Sequence, residues 1–554
     1  MERRVVLAVV LAIGVLFLTP RLFPPAKRPA SAVPDTTRPD TPRSTQPAPP
    51  QVTAAAPERI EAAPAGDTMR VRIDTTTVQT AEGTYLFQSQ GAGLEQVQLR
   101  RFPSLSGQGT AVRLDSRWDP LLTYSLVVPN DTLPLATVPF AANADGTNRN
   151  VTYRTVAGGW TVSIRYEVDT TGYLFHAIAH VTDSAGRAAG DNVLLIIHLP
   201  RALESFEADP VADRQALTVA FKQPARGASQ VAVRSLDPNE RHLEPGPLTW
   251  TALKSKYFIL GIIARDTTAP FAEVQVTGLP QAERNYPLGQ TVAIARMRNG
   301  VFGFDVYAGP QDWDAMVAVG REFVGANAYG GFMQPVVQPF ATIVMRVLLW
   351  MHRALNLHYG WVLLLFGVIV RIAMWPLNQV AMRSSMKMQE LQPQLAEVQK
   401  RHKSDPQRLQ QETMRIYKEH GMSPFSPLAG CFPILLSMPV LFALFFVFQS
   451  TIEFRGVPFL WLNDISLKDS LYIAPLLMGG SMFFTSWLSM RSLPPNPQTR
   501  VMTYVLPVMM TVLLANMASG LNLYWAAQNV ASIPQQLLIA RERERAKARK
   551  AKVS

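Results

Sequence analysis

Five apolar stretches close the chain, at 361–377, 431–450, 471–490, 501–517 and 521–539, and none contains an Asp or a Glu. Their lengths bracket the ~20 residues a helix needs to cross a bilayer. In hydrocarbon the backbone must satisfy itself, which leaves helices or closed barrels. The last third of the chain therefore reads as a helical polytopic membrane unit. One stretch carries a lone cation, Arg371. A cation at such a depth costs about 2.5–3.5 kcal/mol on insertion scales, so it is kept for function or held by water and polar neighbours. With no carboxylate in the five stretches to pair with, it reads as a cation that meets something from outside the chain.

The remaining chain is of another kind. The protein has 554 residues and a net charge of +12, long enough for two or three domains. Its single cysteine, Cys431, excludes an internal disulfide and a thiolate metal cluster. His176 and His180 lie about 13 Å apart on a strand-like run, too far to share a metal, and read as ordinary sheet residues. There is no GxxxxGK, HExxH or GxSxG motif, so ATPase and hydrolase readings have no support. No cofactor is implied.

Residues 1–19 read as an N-terminal anchor, with Arg3 and Arg4 on the cytoplasmic side of an apolar run from Val5 to Leu18. A cleaved signal peptide is the alternative, but no small-x-small cleavage site follows. Residues 20–66, dense in Pro, Ala, Thr and Ser, form a disordered linker. From 67 to 325 the period becomes two. Trp160, Val162, Ile164, Tyr166 and Val168 alternate with polar residues, and turns recur between short strands. This predicts an antiparallel β-sandwich for docking or spacing. The segment 326–356 holds the boundary and an amphipathic helix over 340–355, with Thr342, Arg346 and Arg353 on one face, suited to lie along the membrane surface.

Loop charge orients the membrane unit over 357–540. The segment 378–427, the loop at Arg491 and Arg500, and the tail 541–554 are basic, while 451–470 and 518–520 are poor in Lys and Arg. Basic segments stay cytoplasmic. Six spans result, with both termini inside and the sandwich outside. The segment 378–424 reads as a helical hairpin with Leu391, Leu395, Val398, Leu409 and Ile416 in its seam. Pro393 kinks its first arm, and Asp405 or Ser404 caps the second, which Pro406 starts.

Polar residues in the spans form stripes. Asn522, Trp525, Asn529, Ser532 and Gln536 share one face of the last span, and Ser481, Thr485 and Ser489 share one face of an earlier span. They face water or protein. Helix–helix adhesion through amides and hydroxyls is the competing explanation. For Arg371 the competing explanation is snorkelling, since Leu377 lies six residues on, about 9 Å of helix.

Several runs together resemble the YidC family of membrane protein insertases. They are Arg371-Ile-Ala-Met-Trp-Pro-Leu377, Leu391-Gln-Pro393, Gly430-Cys-Phe-Pro-Ile-Leu-Leu-Ser-Met-Pro439, Phe459-Leu-Trp-Leu-Asn-Asp464, Pro475-Leu-Leu-Met-Gly479 and Ser519-Gly-Leu-Asn-Leu-Tyr524. The resemblance implies a five-helix core around a hydrophilic groove open to the cytoplasm and lipid, with Arg371 inside. It implies that Gly367, Ser437, Ser481, Thr485, Asn522, Trp525 and Asn529 line the surface that meets the client. Gly367 stands where some members have threonine, so a groove hydroxyl is missing; Trp525 keeps an aromatic group. The implied partners are nascent membrane proteins and the bilayer, then the Sec translocon, the signal recognition particle receptor and the ribosome. The basic tail suits ribosomal RNA and equally anionic lipid. A non-inserting scaffold of the translocation machinery is the rival function. A secondary transporter is a weaker rival, because intramembrane carboxylates and an inverted repeat are lacking.

Overall fold

A computed structural model describes residues 74–553 except 108, 130, 145–148, 282, 284, 328, 330–333, 377, 380–390, 392–393, 396, 399, 403–404, 421–431 and 491–500. The anchor and linker expected over 1–66 therefore lie outside the described residues, as do Pro393, Ser404 and Cys431.

The period-two segment folds as expected. In the strand Trp160–Val168, Val162, Ile164, Tyr166 and Val168 are buried, and the strand pairs antiparallel with Leu174–Asp183. Nine strands form the largest sheet. From one edge it runs Ala228–Ala232, Thr218–Lys222, Trp250–Lys254, Phe258–Ala264, Val301–Pro310, Leu174–Asp183, Trp160–Val168, Asn150–Ala157 and Ala141–Ala144. Six strands form a second sheet, from Arg241–Leu248 to Asp131–Pro134, and four consecutive strands from Thr75 to Leu114 a third. All three contribute to one aromatic-rich core that includes Tyr85, Tyr124, Tyr166, Phe175, Trp250 and Phe304. His176 bonds through Nδ1 to Asp305 at 2.7 Å, and His180 is exposed, so the two behave as sheet residues.

Two short helices, α1 (Pro210–Gln215) and α2 (Trp313–Val319), belong to this β-domain; Asp209 and Asp312 cap them. Then come α3 (Gln334–Leu355), α4 (Tyr359–Ala373), α5 (Pro406–Glu419), α6 (Phe432–Ser450), α7 (Ile473–Met490), α8 (Leu506–Leu514) and α9 (Ser519–Val553). Helix α3 starts at Gln334, earlier than the expected 340, and meets α4 at a bend of 119°. It buries Val337, Ala341, Met345 and Leu348 and exposes Val336, Phe340, Ile343 and Trp350. A helix apolar on both sides can pack inward and still rest on lipid. Among the described residues no single helix is long and apolar enough to cross a membrane; the bent pair α3–α4 passes only jointly, and α6, α7 and α8 contribute shorter apolar lengths. Outward-facing apolar residues continue along these helices, among them Trp361, Ile369, Leu476, Phe484, Val508 and Leu537. Exposed patches of this kind mark contact with lipid or protein.

In α5 the Asp405 carboxylate accepts from Arg408 N at 3.1 Å, with Pro406 as the first helical residue. Leu391 packs with Ile416 and Tyr417. The tail continues α9 as helix to Val553.

The β-domain is joined to the loop between α6 and α7 by a buried ion pair. Arg455 Nε donates to both carboxylate oxygens of Glu207 at 2.8 Å, and the side chains are only 3% and 5% exposed. Arg455 Nη2 also donates to the Pro103 carbonyl at 3.0 Å, and the guanidinium lies over the Phe258 ring. Tyr257 donates to Ser466 Oγ at 3.0 Å. The loop is organised by two aspartates: Asp464 accepts from Gly456 N and Ser466 N, and Asp469 from Trp461 Nε1, Leu471 N and Ala474 N.

Candidate functional site

Arg371 lies in the last turn of α4, which ends at Ala373 rather than at the expected Leu377. Its Nη2 donates to Gln535 Oε1 on α9 at 3.0 Å, and Gln535 Nε2 donates to the Trp375 carbonyl at 3.1 Å. Gln535 is 2% exposed. Among the described residues the buried Nε of Arg371 has no partner. The guanidinium is thus turned to a neutral amide on α9. The first basic residue of the tail, Arg541, lies six residues beyond Gln535, about 9 Å along the helix.

Gln535 was not among the residues singled out from the sequence. Successive helical residues are about 100° apart, so Gln535 and Gln536 face different neighbours. Gln536 belongs to the stripe with Asn529 and Ser532, and that stripe faces α7. Asn529 Nδ2 donates to Ser481 Oγ at 3.1 Å, Ser489 Oγ to Gln536 Oε1 at 3.0 Å, and Gln536 Nε2 to Ser532 Oγ at 3.0 Å. The hydroxyl of Thr485 is returned to its own helix, donating to the Met482 carbonyl at 3.0 Å. The two stripes thus meet in a seam between α7 and α9. Ser481, Ser489, Asn529 and Gln536 each take part in a hydrogen bond between these two helices.

Gly367 lies on α4, one turn before Arg371. It is buried where α4 crosses α9, and a Cβ there would lie 3.0 Å from the Tyr524 carbonyl oxygen and 3.4 Å from Ala527 Cβ. Its missing side chain serves close helix approach. Asn522 is fully buried near the start of α9, thirteen residues or about 20 Å from Gln535. Its Nδ2 donates to the Leu514 carbonyl at 3.1 Å and so secures the end of α8. Gly367 and Asn522 are both buried. Trp525 is half-buried at the edge of the helical core. Ser437 lies on α6, with its side chain outside the described residues. No group of three His, Cys, Asp or Glu is placed to hold a metal among the described residues.

Comparison with known proteins covers both parts of the chain. Residues 350–547 match the family model described as 60Kd inner membrane protein, and residues 70–343 match that of the YidC periplasmic domain. The membrane protein insertase YidC of Anaeromyxobacter sp. (strain Fw109-5) is 30% identical over 71% of this chain and 69% of its own length. That of Chlorobium phaeovibrioides (strain DSM 265 / 1930) is 33% identical over 56% of each, so the match spans little more than half of that relative. A crystal structure of active YidC insertase with its first transmembrane domain resolved aligns with 84% of this chain and 93% of that one. Its identity is 17% and its TM-score 0.33, too low to support an argument about geometry. Two contiguous family matches and a relative aligned over more than two thirds of both chains lead to one conclusion: this chain belongs to the YidC family of membrane protein insertases.

Proposed function

We propose that this chain inserts client proteins into the bacterial inner membrane through a hydrophilic intramembrane groove in which Arg371 meets the client. The observation that carries this reading is the partner of Arg371. An amide engages one of the five N–H donors of a guanidinium, and among the described residues no carboxylate pairs with it. A cation so held keeps charge and donors for an incoming carboxylate or polar tail, whose desolvation it offsets. The client's apolar helix enters lipid beside the outward-facing residues of α4, α7 and α9, at about 25 cal/mol per Å² of apolar area buried. Translocation needs no covalent chemistry.

The chain runs through six spans in this reading. Residues 1–19 anchor it, 20–66 link, the β-domain over 67–325 is periplasmic, and 357–540 is the insertase core. The hairpin 378–424 and the tail 541–554 lie in the cytoplasm, where basic segments are retained. There they are placed for the ribosome, the signal recognition particle receptor and the Sec translocon.

The test is insertion by purified protein in proteoliposomes, with a single-span client bearing a short acidic N-terminal tail scored by protease protection. Arg371→Ala lowers protection about tenfold, equivalent to ~1.4 kcal/mol. Arg371→Lys retains much of it if charge alone acts. Full protection with the alanine variant sinks the role of the cation. No protection by folded wild type favours the scaffold reading.

A further inference from the structure

A cavity of about 780 Å³ opens between the β-domain and the membrane core, within the ~300–1,000 Å³ typical of ligand sites. It touches α9 at Leu521, fourteen residues or about 21 Å along the helix from Gln535. It is therefore separate from the Arg371 site. Its chemistry is divided. Phe445 and Phe448, at the end of α6, and Leu521 give it an apolar side. Arg234 and Lys256 from the β-domain and Lys468 from the α6–α7 loop give it a cationic side. Asp209 also lines it, but that carboxylate already accepts from Ala212 N at 3.0 Å as the cap of α1.

Arg234 and Lys468 are exposed, while the Lys256 ammonium bonds to the Tyr257 hydroxyl and faces the Asp213 and Glu207 carboxylates. Among the described residues none of the three is ion-paired. The contrast with Arg455 is instructive. Arg455 and Lys468 are the two basic residues of 451–470. Arg455 is consumed by Glu207, whereas Lys468 is exposed beside the cavity with Arg234. The Lys256 ammonium lies 4.8 Å from the centre of the Tyr257 ring. The exposed Arg234 and Lys468, with Lys256 deeper beside Tyr257, leave a positive mouth over an apolar floor formed by helix ends.

We propose that this cavity holds one phospholipid with an anionic headgroup, its phosphate among Arg234, Lys256 and Lys468 and the upper part of its acyl chain against Phe445, Phe448 and Leu521. Its assignment to the outer leaflet rests on the orientation proposed above; the site itself does not. A zwitterionic headgroup would bring an ammonium towards three cations and is disfavoured. Free phosphate would satisfy the mouth and leave the apolar floor unused.

Native mass spectrometry of the delipidated full-length chain in detergent tests this, with phosphatidylglycerol, phosphatidylcholine and inorganic phosphate as separate probes. One phosphatidylglycerol is expected to bind about tenfold more tightly than phosphatidylcholine, and phosphate alone weakly. The double variant Arg234→Gln/Lys468→Gln, with both positions exposed and its fold checked by circular dichroism, is expected to lose that preference. Lys468→Arg is expected to keep it. Equal retention of both lipids, phosphate binding as strong as lipid binding, or an unchanged preference in the double variant each overturns the proposal. Lipid binding is read without any insertion step. Loss of insertion with lipid preference intact therefore sinks only the insertase reading, and the reverse sinks only the lipid site.

Discussion

Arg371 and Gln535 form a cation–amide pair across α4 and α9, and the same amide reaches back to the Trp375 carbonyl, so one side chain positions the guanidinium and ties the end of α4. Replacing that amide by a carboxylate separates charge from shape. Gln535→Glu is expected to form an internal ion pair with Arg371, preserve or raise thermal stability, and lower insertion of an acid-tailed client about tenfold. Gln535→Leu leaves the cation unpaired and is expected to cost about 1–3 kcal/mol of stability. Undiminished insertion by the glutamate variant would show that the free charge of Arg371 is not what the client meets.

Gly367 makes an opposite prediction from the one its family position suggests. Supplying a hydroxyl by Gly367→Thr places a Cβ against the Tyr524 backbone carbonyl, which cannot rotate aside. Overpacking of this kind costs about 1–3 kcal/mol. Thermal unfolding in detergent should show that loss, with insertion reduced rather than improved. A threonine variant as stable as wild type would mean that α4 and α9 separate easily here.

The α7–α9 seam is expected to be modest in energy. A double-mutant cycle on Ser481→Ala and Asn529→Ala should give a coupling of about 0.6 kcal/mol, below ~1.7. A coupling near zero would show that water satisfies both groups equally well and return the stripe to the groove.

These residues show where the sequence was legible. The alternation in Trp160–Val168 announced a half-buried strand because a period of two leaves little ambiguity. The order of strands was not legible, since Thr218–Lys222 pairs with Trp250–Lys254 and no local signal selects that neighbour. The cation at 371 was conspicuous because apolar residues surround it. Its partner was not, because Gln535 and Gln536 adjoin in sequence and only the packing of α9 decides which faces α4. The stripe of small polar residues was visible, but adhesion and hydration use the same side chains. The pair Glu207 and Arg455 is separated by 248 residues, and each looks like ordinary surface charge until the β-domain meets the loop.

That pair is expected to govern how firmly the β-domain is held. Glu207→Gln leaves a buried guanidinium without its counter-charge, which costs about 3–5 kcal/mol. Limited proteolysis should then cut faster around 451–470. The double variant Glu207→Leu/Arg455→Met removes both charges and is expected to recover most of the loss. A double variant as labile as the single one would show that the Arg455 bond to the Pro103 carbonyl, lost with the guanidinium, is a main part of the hold.

The same loop carries a pH dependence. Glu453 follows α6, and its Oε1 accepts from Trp313 N at 3.4 Å, while its buried Oε2 has no partner among the described residues. Burial, with the Asp312 carboxylate adding to it, pushes the Glu453 carboxyl up to about 7, from 4.5 for an ordinary glutamate. Between those values the folded chain keeps a proton that the unfolded chain has released. The contribution to stability is therefore full below pH 4.5 and is lost as the pH rises through about 7. Its size is at most about 3.5 kcal/mol at one pKa unit per ~1.4 kcal/mol. Thermal unfolding of the full-length protein in detergent should decline from about pH 5 to about pH 8 more steeply than that of Glu453→Gln. The glutamine keeps the shape without the ionisation, so the difference between the two slopes isolates this carboxyl from every other titrating group. Identical slopes would mean that Glu453 ionises at its ordinary value in the folded chain and that its unpartnered oxygen is hydrated.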